Sequence, residues 1–462
     1  MILLTIAAYY LYSFSPFYYI HHSDPQIGRS PEGEPNLDTA VAQIGRMAPA
    51  PSFIYVAGDI ADNPMDSAIV HDQWTRARTR FNRLSVPKYY AAGNNDVGYP
   101  SELETVPRMI FWYRNFWGPD WYSFDRDSCH FIVLNSTLLD LALGHVHYPT
   151  SLAQDSFLRR DIQSIQGRRY KQLFFLYHFP TYNSTPDEAN QTGNVHRPRR
   201  DTILKYVRDN GFGAILAGHI HADGQTLYRS ALLQAGLATC TGSLSSTGYR
   251  VVKVFHNGIE TFTVFLSTPV DSVPMVNIVT AWAVPETVMV NQTVSFQAGV
   301  DTVRFPDWRG LSFRWNFGDG DSSWVRTTSH VYRDTGSYLV AFTGFQSPRK
   351  AANYHLRIRV NPPSTVSERA GPRADRLSIG LPTITRGAVE FDITFPGNRP
   401  SNAGAARISI YSISGQRQGP EVEVAGTGTQ RVRFPSNLPG GIYFIEVVVG
   451  ETRFVHKAVR LR

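Results

Sequence analysis

Five apolar runs in the first half of the chain each stop at a polar residue able to bind a cation. FYYIHH leads into SDPQ, SFIYVAG into DIADN, KYYAAG into NND, LFFLY into HFP, and AILAG into HIH. A strand covered on both faces reads as a near-continuous apolar run, so each polar ending marks the place where the chain leaves a sheet. In open α/β sheets ligands gather beyond the carboxyl ends of the strands. The order therefore sets Asp24, Gln26, Asp59, Asn94, His178, His219 and His221 at strand ends, where a site is to be sought. Between the runs lie helical stretches such as 38–47 and 155–165, and the alternation predicts an α/β layered domain over residues 17–268.

At 462 residues the chain is too long for one ordinary core. Beyond Phe265 the pattern changes to short alternating strands with Gly, Pro and Ser turns, which predicts two small all-β sandwiches, 269–360 and 376–462, joined by a Pro- and charge-containing linker over 361–375. Residues 1–16 begin with the apolar MILLTIAAYYLYS, which has no Lys or Arg and is too short to span a bilayer. It reads either as the remnant of a signal peptide or as a buried strand or helix. The net charge of +7 favours anionic partners such as phosphate esters, but it is spread along the chain, and no nucleic acid is expected as a stable partner. Cys129 and Cys240 alone cannot build a disulfide framework or a Cys-rich zinc site.

Hydrolysing a phosphate ester requires neutralising the phosphoryl oxygens and a strong nucleophile near neutral pH, and two metal ions bridged by a carboxylate supply both. Imidazoles and carboxylates are the side chains that hold such ions. Each strand-end residue alone is more often a turn or a satisfied core group. The spacing in Gly218, His219, Ile220, His221 says more, since residues two apart on extended backbone point to one side. All of them together, in order, point to a metal site, with a structural polar cluster as the alternative.

The ordered motifs resemble the calcineurin-like metallophosphoesterase superfamily, whose pattern is D-x-H, GD, GNH[DE], an isolated His, and GHxH. SDPQIG and FIVLNS are similar to the branch called calcineurin-like phosphoesterase domain-containing protein 1, to which serine/threonine phosphatase activity is assigned. The likeness covers residues 17–265. It implies a four-layer sandwich of two β-sheets flanked by helices, and two ions (Fe, Zn or Mn) with a metal-bound hydroxide as nucleophile. Asp24, Gln26, Asp59 and His221 would hold one ion; Asp59, as the bridge, would join Asn94, His178 and His219 on the other.

Two departures stand out. Gln26 replaces the first-motif histidine, and an amide oxygen is a weaker ligand. GNHD is here Gly93, Asn94, Asn95, Asp96, so the family's general-acid histidine is Asn95, which can donate a hydrogen bond but delivers no proton near neutral pH. Slow turnover follows, with Asn95 and Asp96 as the catalytic-loop residues. A substitute acid would come from His22, His130, His145, His147 or His196, each of which also reads as an ordinary surface or packed histidine. The segment NSTPDEANQTGNVHRPRR either walls the substrate cleft, with His196, Arg197 and Arg199 binding substrate, or is an exposed basic loop.

WNFGDG at Trp315–Gly320, followed by SHVYRDTGSYLVAF, resembles a PKD domain, an immunoglobulin-like sandwich that implies a spacer or a binding role toward surface polymers. Trp315 and Phe317 are expected in its core, with Tyr332, Tyr338 and Val340 on the facing sheet; Asp319 and Asp321 suggest calcium as one reading and a tight turn as the better one. ARISIYSISGQR and LPGGIYFIEVVVG, with the basic terminal strand, resemble the C-terminal sorting domain of type IX secretion, which implies export machinery as a partner and a secreted or surface location in a Gram-negative bacterium. The expectation is a secreted metal-dependent phosphoesterase acting on mono- or diesters; the alternative is a weakened phosphoesterase scaffold serving adhesion.

Overall fold

The computed structural model describes residues 14–62, 66–99, 105–139, 149–168, 170–191, 193–346, 349–362, 378–380, 384–386, 390–395, 405–412, 417–419, 421–424, 428–434, 441–449 and 452–461. The N-terminal 13 residues, His145, His147 and most of the expected linker lie outside them. The chain forms two compact units, Met1–Thr365 and Val366–Arg462, divided within the stretch read as a linker.

In the first unit, β1 (Phe17–His22), β2 (Ile54–Val56) and β3 (Lys88–Tyr90) are parallel neighbours, and α1 (Gly33–Arg46), α2 (Ser67–Phe81), the short α3 (Asn94–Val97) and α4 (Thr105–Trp117) connect or follow them. β4 (Tyr122–Arg126), β5 (Cys129–Val133), α5 (Pro149–Ile165), β6 (Gln172–Leu176), α6 (Arg199–Asn210), β7 (Ala214–Ala217), β8 (Gly224–Tyr228) and β9 (Ala231–Ala235) build a second sheet in the order β4-β5-β6-β7-β9-β8. The hairpin of β10 (Gly248–Phe255) and β11 (Gly258–Phe265) returns to the first sheet beside β1.

The two sheets face each other across an aromatic layer in which Tyr19, Tyr55 and Val252 of the first meet Phe131, Phe174 and Leu216 of the second. Phe131 and Phe174 stack at 4.5 Å. α1, α2 and α4 close the outer face of the first sheet around Trp74 and Tyr113, and α5 and α6 close the outer face of the second around Phe175 and Phe212. That burial on both faces explains why β1, β5 and β6 read as unbroken apolar runs. The result is the expected four-layer α/β sandwich of two sheets flanked by helices, followed by a β-rich region.

The first β module comprises β12 (Val279–Val284), β13 (Thr287–Met289), β14 (Thr293–Val300), β15 (Ser312–Asn316), β16 (Ser322–Ser323), β17 (Thr328–Val331), β18 (Gly336–Gln346) and β19 (Lys350–Asn361). Trp315, Phe317, Tyr332 and Val340 are buried in its core. Val340 and the half-buried Tyr338 sit on β18, in the same sheet as Trp315 rather than the facing one; only Tyr332, after β17, comes from across. Gly318 and Gly320, at φ +89° and +123°, make the turn that holds Asp319.

This module is not a separate bead. The first half of β19 pairs antiparallel with β11, Gly258 opposite Tyr354 to Phe262 opposite Lys350, and its far half pairs with β13. One sheet therefore runs β16-β15-β18-β19-β11-β10-β1-β2-β3 through both modules. Asn353 and His355 add bonds of 3.1 and 3.0 Å to the Ser230 carbonyl at the edge of the second sheet.

The second unit stacks β20 (Ser378–Gly380), β22 (Glu390–Phe395) and β25 (Gly428–Arg433) against a sheet of β21 (Ile384–Arg386), β27 (Thr452–Leu461), β26 (Gly441–Val449), β23 (Ala406–Ser412) and β24 (Val422–Val424). Its core holds Phe391, Ile393, Ile408, Ile410, Ile445 and Val447.

Candidate metal centre

The carboxyl ends of β1, β2, β3, β6 and β7 deliver their polar residues to one place. Asp59, His178 and His219 present donor atoms within 4.8 Å of one another, and so do Asp24, Asp59 and His221. Asp59 belongs to both groups, the arrangement a bridging carboxylate needs. His178 Nε2 lies 3.2 Å from Asp59 Oδ1 and 3.0 Å from Asn94 Oδ1, and His219 Nδ1 is 3.3 Å from His178 Nε2. His221 Nε2 faces Asp24 Oδ1 at 3.4 Å. Asp24, Gln26, Asp59, Asn94 and His178 are all buried.

The backbone is bent to achieve this. Asp24, Gln26, Asp59, His219 and His221 have φ of 48°, 34°, 49°, 72° and 52°, a left-handed region that costs residues with a Cβ of order 1 kcal/mol or more each. Such strain persists where the surroundings enforce it, and it turns successive ligands of one loop inward. Gly93 is required for a related reason: a Cβ there would collide with the Asp59 backbone nitrogen and carboxylate.

The neighbouring groups orient the donors. His178 Nδ1 is 2.7 Å from the Ala57 carbonyl, which turns Nε2 toward Asp59 and Asn94, and the His219 backbone N–H donates to Asp24 at 3.0 Å. Ser23 Oγ also donates to Asp24. Asp96 accepts from the N–H groups of Ile60 (3.0 Å), Ala61 (3.0 Å) and Gly93 (3.1 Å) and from the Trp74 indole (3.0 Å), clamping the Asp59 and Asn94 loops together. Burial, then the charge of Asp59, raises Asp96 to about 6. Burial resists charging of His178, but the Asp59 carboxylate outweighs it and holds the imidazole at about 9; the bond to Asp24 raises His221 to about 10. His178 and His221 held so high mark the negative charge of Asp59 and Asp24 beside them, which suits cations, whereas burial, then the charge of His178, lowers His219 to about 4.

Donor chemistry fits a pair of ions. Gln26 Oε1 is buried with no hydrogen-bond partner, while its Nε2 donates to Asp59 Oδ2 at 3.0 Å. An amide oxygen left bare beside the Asp59 carboxylate is what a cation ligand looks like.

Other expected residues fall elsewhere. His22 is buried against the edge of Phe81, on the α2 side of β1. His130 is held between Asp125 (2.5 Å) and Asp161 (2.8 Å). His196 Nε2 is 2.8 Å from the Gln191 carbonyl. Arg199, expected on substrate, instead ties α6 to Asp155 (2.6 Å), Ser151 (2.7 Å) and the Leu138 carbonyl (3.0 Å). Arg197 pairs with Asp187 at 2.6 Å and Asp201 at 3.3 Å. Arg200 bonds the Val195 and Glu188 carbonyls, both at 2.9 Å. These side chains rivet the 183–200 segment, because a long turn-rich loop must satisfy its own carbonyls. The loop does reach the centre, through backbone: a Cβ on Gly193 would strike the His219 ring. Reading by motif missed Cys240, buried with Sγ 3.9 Å from His221 Nδ1, since GLATCTGS carries no spacing signal.

Residues 19–223 match the family model for Calcineurin-like phosphoesterase. The chain carries a calcineurin-like phosphoesterase domain. Residues 278–360 match the PKD domain. The calcineurin-like region is similar to the curated "Serine/threonine-protein phosphatase CPPED1" of Danio rerio, 24% identical over 262 residues, covering 53% of this chain and 83% of that protein. It is also similar to "Purple acid phosphatase" of Glycine max, 28% identical over 184 residues, covering 37% of this chain and 36% of that protein. Among solved structures, a dimetal phosphatase from Danio rerio aligns with 14% identity and a TM-score of 0.42, covering 55% of this chain and 98% of that one.

Proposed function

We propose that the chain is a dinuclear metal-dependent phosphoesterase, and the observation that carries this is the membership of Asp59 in both donor groups. Asp24, Gln26, Asp59 and His221 would hold one ion, and Asp59, Asn94, His178 and His219 the other. Bound ions supply Lewis acidity toward phosphoryl oxygens and an ionised water at neutral pH. The chain itself fixes the donors: Asp96 clamps two ligand loops, Ala57 sets the His178 tautomer, and the Gly193 backbone closes one side. Asn95 provides a hydrogen bond where a proton donor would serve better, so turnover is slow and favours esters with good leaving groups.

The CPPED1 and purple acid phosphatase similarities support a phosphomonoester substrate. The resemblance of the second unit to a sorting domain, and its two-sheet sandwich, support export to the cell surface. Asn95 also favours a second reading, a binding protein on a silenced scaffold. Metal content of the purified protein, with hydrolysis of mono- and bis-nitrophenyl phosphate, separates the two. Two ions and turnover lost in His178→Ala establish the enzyme; ions without hydrolysis of either ester overturn it. Fractionation of the host assigns the address, and a purely cytosolic protein rejects export.

A further inference from the structure

The PKD domain flanks β8, at the edge of the sheet whose β7 leads into His219 and His221, and the space between them has a direction. A small hollow touches Ile220, between His219 and His221 in the chain, Ala217, two residues before His219, and Pro180, two residues past His178. It shares Tyr182, Gln225 and Thr226 with a groove of about 530 Å³ whose far wall is PKD surface, including Arg314 and Phe345. A third hollow of about 170 Å³ shares Leu227 and Arg314 with that groove and adds Arg229. The track therefore follows β8, which starts three residues after His221, away from the centre.

Two features of this track fit one kind of occupant. β8 ends its sheet and pairs only with β9 among the described strands. Tyr228 opposite Ala231 closes a two-residue turn, so Gln225 and Leu227 point their backbone groups away from β9. The Leu227 carbonyl already accepts from the Tyr182 hydroxyl at 3.3 Å, as that alternation requires. An open strand edge is a template for an extended polypeptide, which alone repeats N–H and C=O at matching spacing. The second feature is charge. Among the described residues no carboxylate lines the groove or the hollow beyond it, while Arg314 and Arg229 do, and neither of them has a carboxylate of a described residue within ion-pair distance. The Arg314 guanidinium rests over the exposed Trp324 ring at 5.3 Å, with Nε buried and unbonded.

We propose that this groove is the docking track for an extended phosphorylated polypeptide, which adds as a strand to β8 and meets Arg314 and Arg229 with its anionic groups. The PKD domain is then a wall of the substrate site rather than a spacer. The chemistry at the end of the track rests on the phosphoesterase reading; the docking does not.

The full chain is titrated with a fluorescein-labelled peptide carrying the phosphonate analogue of phosphoserine, read by anisotropy, so that no turnover is needed. Arg314→Gln is expected to weaken binding by about threefold to tenfold, as for one partly exposed charge-assisted contact. The same peptide N-methylated at alternate backbone amides should lose at least as much against unaltered protein, an arm that needs no variant to fold. Unchanged affinity in both arms overturns the proposal, and so does a phosphorylated oligosaccharide that displaces the peptide at lower concentration. Peptide binding as expected in a protein that hydrolyses no ester would refute the phosphoesterase reading and leave the docking track standing.

Discussion

Asn95 holds both oxygens of Asp59: its backbone N–H reaches Oδ1 at 2.8 Å and its side-chain amide reaches Oδ2 at 2.9 Å. The residue at the expected general-acid position thus buttresses the shared carboxylate and offers no titratable proton.

Asn95→His should raise kcat for nitrophenyl phosphate by about tenfold or more, toward the 10² that a positioned acid contributes. The sharper readout is the dependence on leaving-group pKa, which flattens when an acid protonates the leaving oxygen. A slope identical to wild type would remove the assigned role of this position.

Asp59 serves both donor groups, so Asp59→Asn should cost both ions, whereas Gln26→Ala should weaken one. Elemental analysis after gel filtration reads this directly. Chelation of the wild-type protein should lower thermal stability by about 2.7 kcal/mol relative to a metal concentration one hundred times the Kd. An unshifted melting curve would deny metal binding to the native state.

Asp96→Ala leaves three backbone N–H groups and the Trp74 indole without their acceptor inside the core. The loss in urea unfolding should be about 3 to 5 kcal/mol, at the high end for one substitution. A change below about 1 kcal/mol would show that solvent reaches those donors.

His130 joins Asp125 on β4 to Asp161 on α5. Burial works against its charged form, but the bonds to Asp161 and Asp125 prevail and raise its pKa above 6.5. A raised folded value means that the stabilisation is fully present below about pH 6.5 and fades as pH rises through the folded pKa. Thermal melts against pH should show a decline above that point that His130→Gln abolishes.

The strand endings carried most of what could be read ahead of the structure. Periods of buried strand and amphipathic helix are local, and so were the motifs of the candidate ligand loops from Asp24 to His221. Side-chain destinations were not local. Arg199 sits in a basic turn-rich segment that looks solvent-facing, yet Asp155, Ser151 and Leu138 claim it from sequence positions at least 44 residues away. Cys240 carries no motif, and its approach to His221 depends on a loop crossing from β9 to β10. Tyr338 alternates correctly but belongs to β18, and periodicity cannot say which of two sheets a strand joins.

The pairing of β19 with β11 also fixes how this protein can be taken apart. Ending the chain before the PKD domain would leave the rim of β11 bare across five paired positions, a sticky border that invites chain-to-chain association. Domain shuffling across that seam would therefore have to replace a strand, not merely a neighbour, which makes the phosphoesterase and its PKD companion a single heritable piece.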